Sequence, residues 1–260
     1  MAEQPSPPPS SRDIKEWRWT LVGIGTLFLL WWGVSQWTGP LLLASPTDTF
    51  HALGKLLTSH VFYENTGLTL FRVGTALLFA TTIGAGLAGL ALLDKRIACV
   101  IEPVRRVCST IPPVIIVVVV MFWLGMGSNM IITFGALILW PVMYISLLEG
   151  SAYCDAELRE TARAFHVTLI NRLRHFYLPA LAPACMSAAV QITCSAIRVT
   201  ILAEVIGADK GMGAAIVASA RNLAVDQMTA WALVVLLLAA VAEFVLLAPM
   251  RKRTYQWKQN

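Results

Sequence analysis

The chain has 260 residues, of which 57% are hydrophobic and only 13% are charged, and its formal net charge is +5. Soluble domains carry about 25% charged residues, so this composition excludes an ordinary water-soluble enzyme. The apolar content also excludes disorder except at the ends. We therefore predict a membrane protein, in which the location of the basic residues matters more than their sum. A nucleic-acid partner is not expected.

Uncharged runs of the sequence predict the membrane-spanning segments. Residues 1–18 begin with a stretch rich in proline and serine, and we expect a disordered cytoplasmic tail there. A bilayer core of about 30 Å needs about 20 apolar helical residues, and backbone groups in lipid must be paired within helices. A transmembrane domain is therefore predicted over residues 19–250, followed by a basic cytoplasmic tail at 251–260. Its six predicted spans are about 19–37, 67–93, 107–125, 129–148, 180–203 and 227–248.

The segment between the first two spans, residues 46–65, has a helical pattern of its own. Phe50, Leu53, Leu57 and Val61 recur at helical spacing between polar residues. This pattern predicts an amphipathic helix, which either lies in the membrane interface or caps the helix bundle.

The basic residues fall mainly on one side of this topology. Of the 20 Lys and Arg, 15 lie in the N-terminal tail, the loops after spans two and four, and the C-terminal tail. The opposite side has three, and Arg72 and Arg198 lie at or within spans. Positively charged loops remain in the cytoplasm, so both termini are predicted to be cytoplasmic.

Span two carries two pairs of small residues four positions apart, Gly84 with Ala88 and Ala85 with Gly89. Small residues let helices approach closely in a membrane. We expect these pairs to pack inside the subunit.

The loop after span four, residues 149–179, contains a predicted amphipathic helix. Leu158, Ala162, Phe165 and Leu169 follow one another at steps of four, three and four residues, which places them on one face. Periodicity alone leaves two interpretations open, a helix that docks into another protein and a solvated linker.

The same loop resembles the EAA loop of ATP-binding-cassette (ABC) importer permeases. That pattern is Glu-Ala-Ala, three residues, Gly, nine residues and then Ile-x-Leu-Pro. Glu160, Ala162, Leu178 and Pro179 match it at the same spacing, whereas Thr161, His166 and Phe176 replace Ala, Gly and Ile. Histidine tolerates a positive φ less readily than glycine, so His166 is the notable departure from the family pattern.

Other stretches resemble the permeases for nitrate, sulfonate and taurine. They include Ile111-Pro112-Pro113 with the following Phe122–Gly127, and Ala203–Ala208 with Gly211-Met212-Gly213. The resemblance covers roughly residues 40 to 250.

The resemblance implies an all-α membrane protein with the type I ABC importer permease fold, in the inner (plasma) membrane. It implies a coupling loop seated on an ATPase, with Asp155, Leu158, Glu160, Thr161, Ala162, Phe165, His166, Leu178 and Pro179 as its site residues. The implied partners are a second permease copy, two ATPase subunits, a periplasmic or lipid-anchored solute-binding protein, and membrane lipid.

The chain has no Gly-x-x-x-x-Gly-Lys-Ser/Thr motif, so we expect ATP and Mg to be bound by the separate ATPase subunits. We expect neither catalytic residues nor a metal site in this chain. The resemblance favours a nitrate-, sulfonate- or taurine-like anion as cargo. The alternatives are a vitamin precursor or other small organic carried by the same machinery, and a carrier that works without ATP.

Charges and prolines within the spans mark candidate positions on the transport path. Arg198 and Glu204 lie in span five, about 120° apart around the helix, so they are not expected to pair with each other. For Arg198 an anion path remains open beside ion pairing and snorkelling. Arg72 is predicted to be interfacial. Pro112 and Pro113 are expected to kink or end a helix and free carbonyls toward the path.

Overall fold

The computed structural model describes residues 11–152 and 178–257. Within these ranges all regular structure is helical, as predicted, and the helices are numbered in chain order. They are α1 (Ser11–Thr38), α2 (Pro46–Leu57), α3 (His60–Leu93), α4 (Lys95–Thr110), α5 (Pro113–Leu124), α6 (Ser128–Ala152), α7 (Leu178–Gly207), α8 (Met212–Arg221) and α9 (Val225–Trp257).

The core is built where α3, α6 and α7 pack side by side. Helix α3 contributes a stripe of small buried residues, and α6 contributes large ones, so the two surfaces interlock. At Gly84 the approach is closest, since an added Cβ would lie 2.7 Å from the carbonyl oxygen of Trp140 and 2.8 Å from Cβ of Met143. Ala88 is fully buried in the same cluster. The first small-residue pair therefore packs inside the subunit, as predicted.

Several helices are long and apolar enough to cross a membrane. Among the described residues, four meet this test alone, and α4 with α5 makes a fifth if the bent pair is one span. The four stretches are His60–Leu93, Ser128–Ser151, Cys185–Gly207 and Val225–Val245.

The predicted span at 107–125 is divided at Pro112 and Pro113, where the sequence predicts a kink or a helix end. Helix α4 ends at Thr110, α5 begins at Pro113, and the two are bent by 103°. The cause is local. The amide of Ile111 donates a hydrogen bond to the carbonyl of Val107, but Pro112 and Pro113 have no amide hydrogen with which to continue the helical hydrogen bonds.

The first and last helices extend into the two predicted tails. Helix α1 already begins at Ser11, and α9 continues to Trp257. A formed helix extends at little cost because each added residue contributes a hydrogen bond without a new nucleus. Span two is extended in the same way, since α3 begins at His60, where the hydroxyl of Ser59 accepts a hydrogen bond from the amide of Phe62 at 3.2 Å.

The amphipathic segment between the first two spans forms α2, which caps the bundle. Its buried face is Pro46, Thr49 and Ala52, and the hydroxyls of Thr49 and Thr229 of α9 lie 3.0 Å apart. Phe50 and Leu57 from the predicted apolar stripe stay exposed. The helix thus packs on the bundle through its small residues and leaves its larger apolar side chains on the outside.

Candidate functional site

A buried ion pair joins α3 to α7 near the end of the bundle that carries α8, which the charge distribution predicts to be external. Nη1 of Arg72 lies 2.7 Å from Oε1 of Glu204, and the two side chains are 4% and 0% exposed. The same guanidinium donates to the carbonyl of Lys210 at 2.7 Å and to the hydroxyl of Ser128 at 3.1 Å. One arginine on α3 therefore holds α6, α7 and the α7–α8 turn together.

The start of α8 is held by side chains from two other helices. Three successive amides donate to them: Gly211 to Oδ1 of Asn65 at 2.7 Å, Met212 to Oγ1 of Thr69 at 2.9 Å, and Gly213 to Oε2 of Glu204 at 2.9 Å. The first amides of a helix have no partner within it, and its N-terminus favours an anion. Glu204 supplies that anion.

Glycine is required where the turn passes over Glu204. Gly211 has φ +121°, a region L side chains rarely adopt, and a Cβ there would meet the carboxylate of Glu204. At Gly213 a Cβ would lie 2.6 Å from the carbonyl oxygen of Ile201 and 2.7 Å from Cβ of Glu204. These two glycines let the α8 backbone close over the ion pair, and we call the whole group, with Asn65 and Thr69, the polar clamp.

The polar clamp corrects two expectations from the sequence. Arg72 is not interfacial, because it is 3% exposed and paired with an acid. Glu204, named as a candidate path residue, lies in the bundle interior with its carboxylate bonded to Arg72, Thr69 and Gly213. Both differences have one cause, since each charge finds its partner on a helix more than 100 residues away along the chain.

A second ion pair near the clamp is exposed. Nζ of Lys210 lies 2.6 Å from Oε1 of Glu64, with side chains 64% and 44% exposed. The hydrogen bond to Glu64, reinforced by its negative charge, raises the pKa of Lys210 above its ordinary value. Water screens such a pair, so it contributes little to stability.

We expect Lys210→Met to leave the thermal unfolding temperature of the purified full chain unchanged at both low and high salt. The backbone carbonyl of Lys210, which Arg72 uses, is kept in this variant. A clear drop of the unfolding temperature at low salt only would show that the Lys210–Glu64 ion pair contributes more to stability than its exposure implies.

Arg198 lies on a different side of α7 from the polar clamp. Its side chain is exposed, whereas Ile197, Thr200 and Ala203 beside it are buried. Within residues 11–152 and 178–257 it has neither an ion-pair nor a hydrogen-bond partner. Of the two charges predicted on span five, the structure leaves only Arg198 facing outward.

Pro112 and Pro113 lie at the corner between α4 and α5, and both are exposed. Because neither has an amide hydrogen, the carbonyls of Cys108 and Ser109 lose the donors that a continuous helix would supply. These two carbonyls therefore lack a helical donor, and their place on the transport path stays a prediction.

The coupling-loop residues from Asp155 to His166 lie outside the described residues. The described chain stops at Ala152 in α6 and resumes at Leu178, with which α7 begins, followed by Pro179. Proline suits the first turn of a helix, where its missing amide hydrogen would have no partner.

The sequence reading missed Asn65, Thr69 and Ser128 as members of the clamp. They are ordinary polar residues at helix ends, and nothing in their spacing marks them. A usable signal was present in the charges: opposite charges in two apolar segments, Arg72 and Glu204, favour a pair because each is costly alone in a membrane.

These features define a helical membrane protein in which a buried ion pair, Arg72 with Glu204, joins two apolar helices. The chain belongs to the family of binding-protein-dependent transport system inner membrane components, whose profile matches residues 80–250. It is thus a multi-pass inner-membrane permease of ABC importers and not itself an enzyme. Permeases of this family work with an ATPase and a binding protein.

Proteins that are similar to the chain include two transport permeases. It is 26% identical to the taurine transport system permease protein TauC of Escherichia coli (strain K12) over 94% of both chains. It is 23% identical to the putative aliphatic sulfonates transport permease protein SsuC of Bacillus subtilis (strain 168), over 66% of this chain and 62% of that protein.

The solved structures share the fold. A bacterial ABC transporter for import of the acidic polysaccharide alginate aligns with TM-score 0.68 at 15% identity, covering 93% of this chain and 98% of its own. An inward-facing MetNI methionine ABC transporter aligns with TM-score 0.64 at 15% identity, covering 72% and 94%.

Proposed function

We propose that this chain forms the translocation path of an ATP-driven importer for a small organic sulfonate such as taurine. The observation that carries the proposal is the similarity to a taurine permease over 94% of both chains. The unpaired Arg198 on a membrane helix agrees with an anionic cargo, because an arginine fork fits the oxygens of a sulfonate. Nitrate is the second candidate cargo, because the sequence resembles the group of permeases for nitrate, sulfonate and taurine.

The proposed topology has six spans and both termini in the cytoplasm. Helix α1 is the first span, and α4 with α5 together form the third. The excess of basic residues on one side supports this orientation.

The proposed assembly contains two copies of this chain, two ATPase subunits and an external solute-binding protein. ATP and Mg are bound by the ATPases. The coupling loop, from Asp155 to Pro179, seats its amphipathic helix in an ATPase groove. Closure of the ATPases on nucleotide then moves this loop and rocks the spans between inward- and outward-facing states.

Within the path, we assign Arg198 and the corner at Pro112 and Pro113 to the surface that the solute meets. Glu204 is left out of this assignment because it is fully buried.

An ATP-independent carrier would need several ionisable groups free at mid-membrane. Among the described residues, Arg198 is unpaired near the middle of a span, and Arg72 and Glu204 neutralise each other. The exposed Glu243 lies near the end of the apolar stretch Val225–Val245 and not at its middle.

The test is reconstitution of the chain with its ATPase and binding protein in lipid vesicles. We expect the permease to co-purify with the ATPase, and binding protein loaded with taurine to stimulate ATP hydrolysis and taurine uptake. Binding protein loaded with a pyrimidine and supporting uptake of it, with no response to taurine, would favour the vitamin-precursor alternative. Failure to co-purify with any ATPase would contradict the proposal.

A further inference from the structure

The exposed face of α7 carries a row of polar side chains. Ser187, Gln191 and Arg198 are exposed, and Ser195 beside them is half-buried. At 100° per residue the three exposed residues fall within about 40° of one another, and Ser195 lies about 40° further round. The row extends over roughly 16 Å of helix, at 1.5 Å per residue. We call these four residues the polar row.

The opposite face of the same helix is the packed one. Ala188, Ile192, Ala196 and Ala203 are at most 1% exposed and lie against α3, α5 and α6. The orientation of α7 is therefore fixed by its apolar side. The polar row points away from its own bundle.

The members of the row have no partners. In the part of the chain that the structure describes, none of the four side chains makes a hydrogen bond or an ion pair. Arg198 lies 13 residues after Cys185 and nine before Gly207 in the stretch long enough to span a membrane, so it is near the middle. An unpaired arginine and amide at that depth face a water-filled cavity or a bound partner, not lipid.

Other exposed helix faces show what a lipid-facing surface of this protein looks like. On α5 the exposed residues include Val118, Phe122 and Trp123, and on α9 they include Leu236, Leu237 and Phe244. The exposed residues of α5 are all apolar, and the exposed face of α9 adds a charge, Glu243, near the end of its apolar stretch at Val245. The polar row contrasts most clearly with the exposed face of α5, and we attribute the difference to what the polar row faces.

The geometry points to the polar row as the substrate-contacting surface of the path, with Arg198 as the residue that selects an anion. This inference rests on the proposed function. A sulfonate presents three acceptor oxygens and no proton, so it suits a guanidinium that donates two parallel hydrogen bonds. The Ser195 hydroxyl, less than one turn away, can donate to the third oxygen. The side-chain carbonyl oxygen of Gln191, about two turns away, can accept from an ammonium at the solute's other end.

The first experiment separates anion selection from transport in general. We expect Arg198→Gln to lower uptake of taurine and of ethanesulfonate by about tenfold, since a hydrogen bond to a charged group is worth roughly that much. ATP hydrolysis stimulated by loaded binding protein should be retained, and Arg198→Lys should recover part of the uptake. The matched control is Arg106→Gln, which removes the same charge from an exposed position of α4.

Outcomes of this experiment separate the two proposals. If the native complex does not take up taurine, the proposed function fails. If it does and Arg198→Gln transports both sulfonates as well as the Arg106→Gln control, the function stands and the assignment of Arg198 is overturned. Loss of stimulated ATP hydrolysis together with uptake would also overturn the assignment, because it would mark Arg198 as structural.

A labelling experiment tests the water-filled surface without relying on activity. In a chain with its native cysteines replaced by serine, single cysteines are placed by Gln191→Cys, Arg198→Cys and, as control, Leu237→Cys on the apolar face of α9. A charged thiosulfonate reagent reacts only with hydrated thiols. We expect labelling at 191 and 198, slowed by taurine, and none at 237. Equal protection of all three positions would place the polar row in lipid and overturn the inference.

Discussion

Replacement of Glu204 by Ala is expected to lower the free energy of unfolding by about 3–5 kcal/mol, the largest effect of any single change discussed for this chain. The variant leaves Arg72 charged and 3% exposed in the interior without its acid. It also removes the acceptors for Oγ1 of Thr69 and the amide of Gly213. Glu204→Gln keeps the shape but not the charge and should be nearly as harmful.

Thermal and denaturant unfolding of the purified full chain in detergent micelles measures this effect. The double variant Arg72→Met with Glu204→Met should recover part of the loss, because a buried pair replaced by apolar groups no longer leaves a charge alone. Recovery stays incomplete since the carbonyl of Lys210 and the amide of Gly213 lose their partners. An unfolding temperature for Glu204→Ala equal to that of Arg106→Met, an exposed charge removal, would refute a structural role for the pair.

Gly84→Leu is expected to separate α3 from α6 and to destabilise the chain by about 3 kcal/mol or more, at the upper end of the range for overpacked cores. Even the first carbon of the new side chain would lie 2.7 Å from the carbonyl oxygen of Trp140. That atom belongs to the backbone of α6, so it cannot rotate out of the way. Unfolding in detergent and the yield of assembled complex both measure the change.

Gly86→Leu on the same helix is the matched control. A Cβ at Gly86 has nothing within 4 Å, so its side chain extends freely. This control should be neutral or slightly stabilising because glycine is a poorer helix former than leucine. Equal destabilisation by both variants would mean that backbone flexibility at these glycines matters, and not the contact with α6.

The spans were predictable because lipid imposes simple rules on sequence. Apolar runs of about 20 residues appear in α3, α6, α7 and α9 with little regard to what they contact. The break at Pro112 and Pro113 was also predictable, because neither residue has an amide hydrogen with which to continue a helix, but the angle of 103° was not. Hydropathy does not predict helix ends, because it measures affinity for lipid and not hydrogen bonding.

The candidate site residues differ in the same way: some could be predicted from a single segment, and others depend on how the helices pack. Arg198 could be named from the sequence as a charge within a span, and its exposed position agrees with that reading. Arg72 and Glu204 could be named as charges but not as a pair, since their pairing depends on how α3 and α7 meet. The clamp's other members, Asn65, Thr69 and Ser128, gave no signal because a single polar residue near a helix end is ordinary.

The small fraction of charged residues in the sequence determined that this is a membrane protein, and their placement predicted its orientation. These conclusions need only transfer free energies, which each segment carries by itself. Tertiary structure alone decided which charges are neutralised and which remain available. Burial against another helix paired Arg72 with Glu204, and the packed apolar face of α7 turned Arg198 outward. The physical reason is that pairing depends on distances between helices far apart in sequence, which composition and periodicity do not contain.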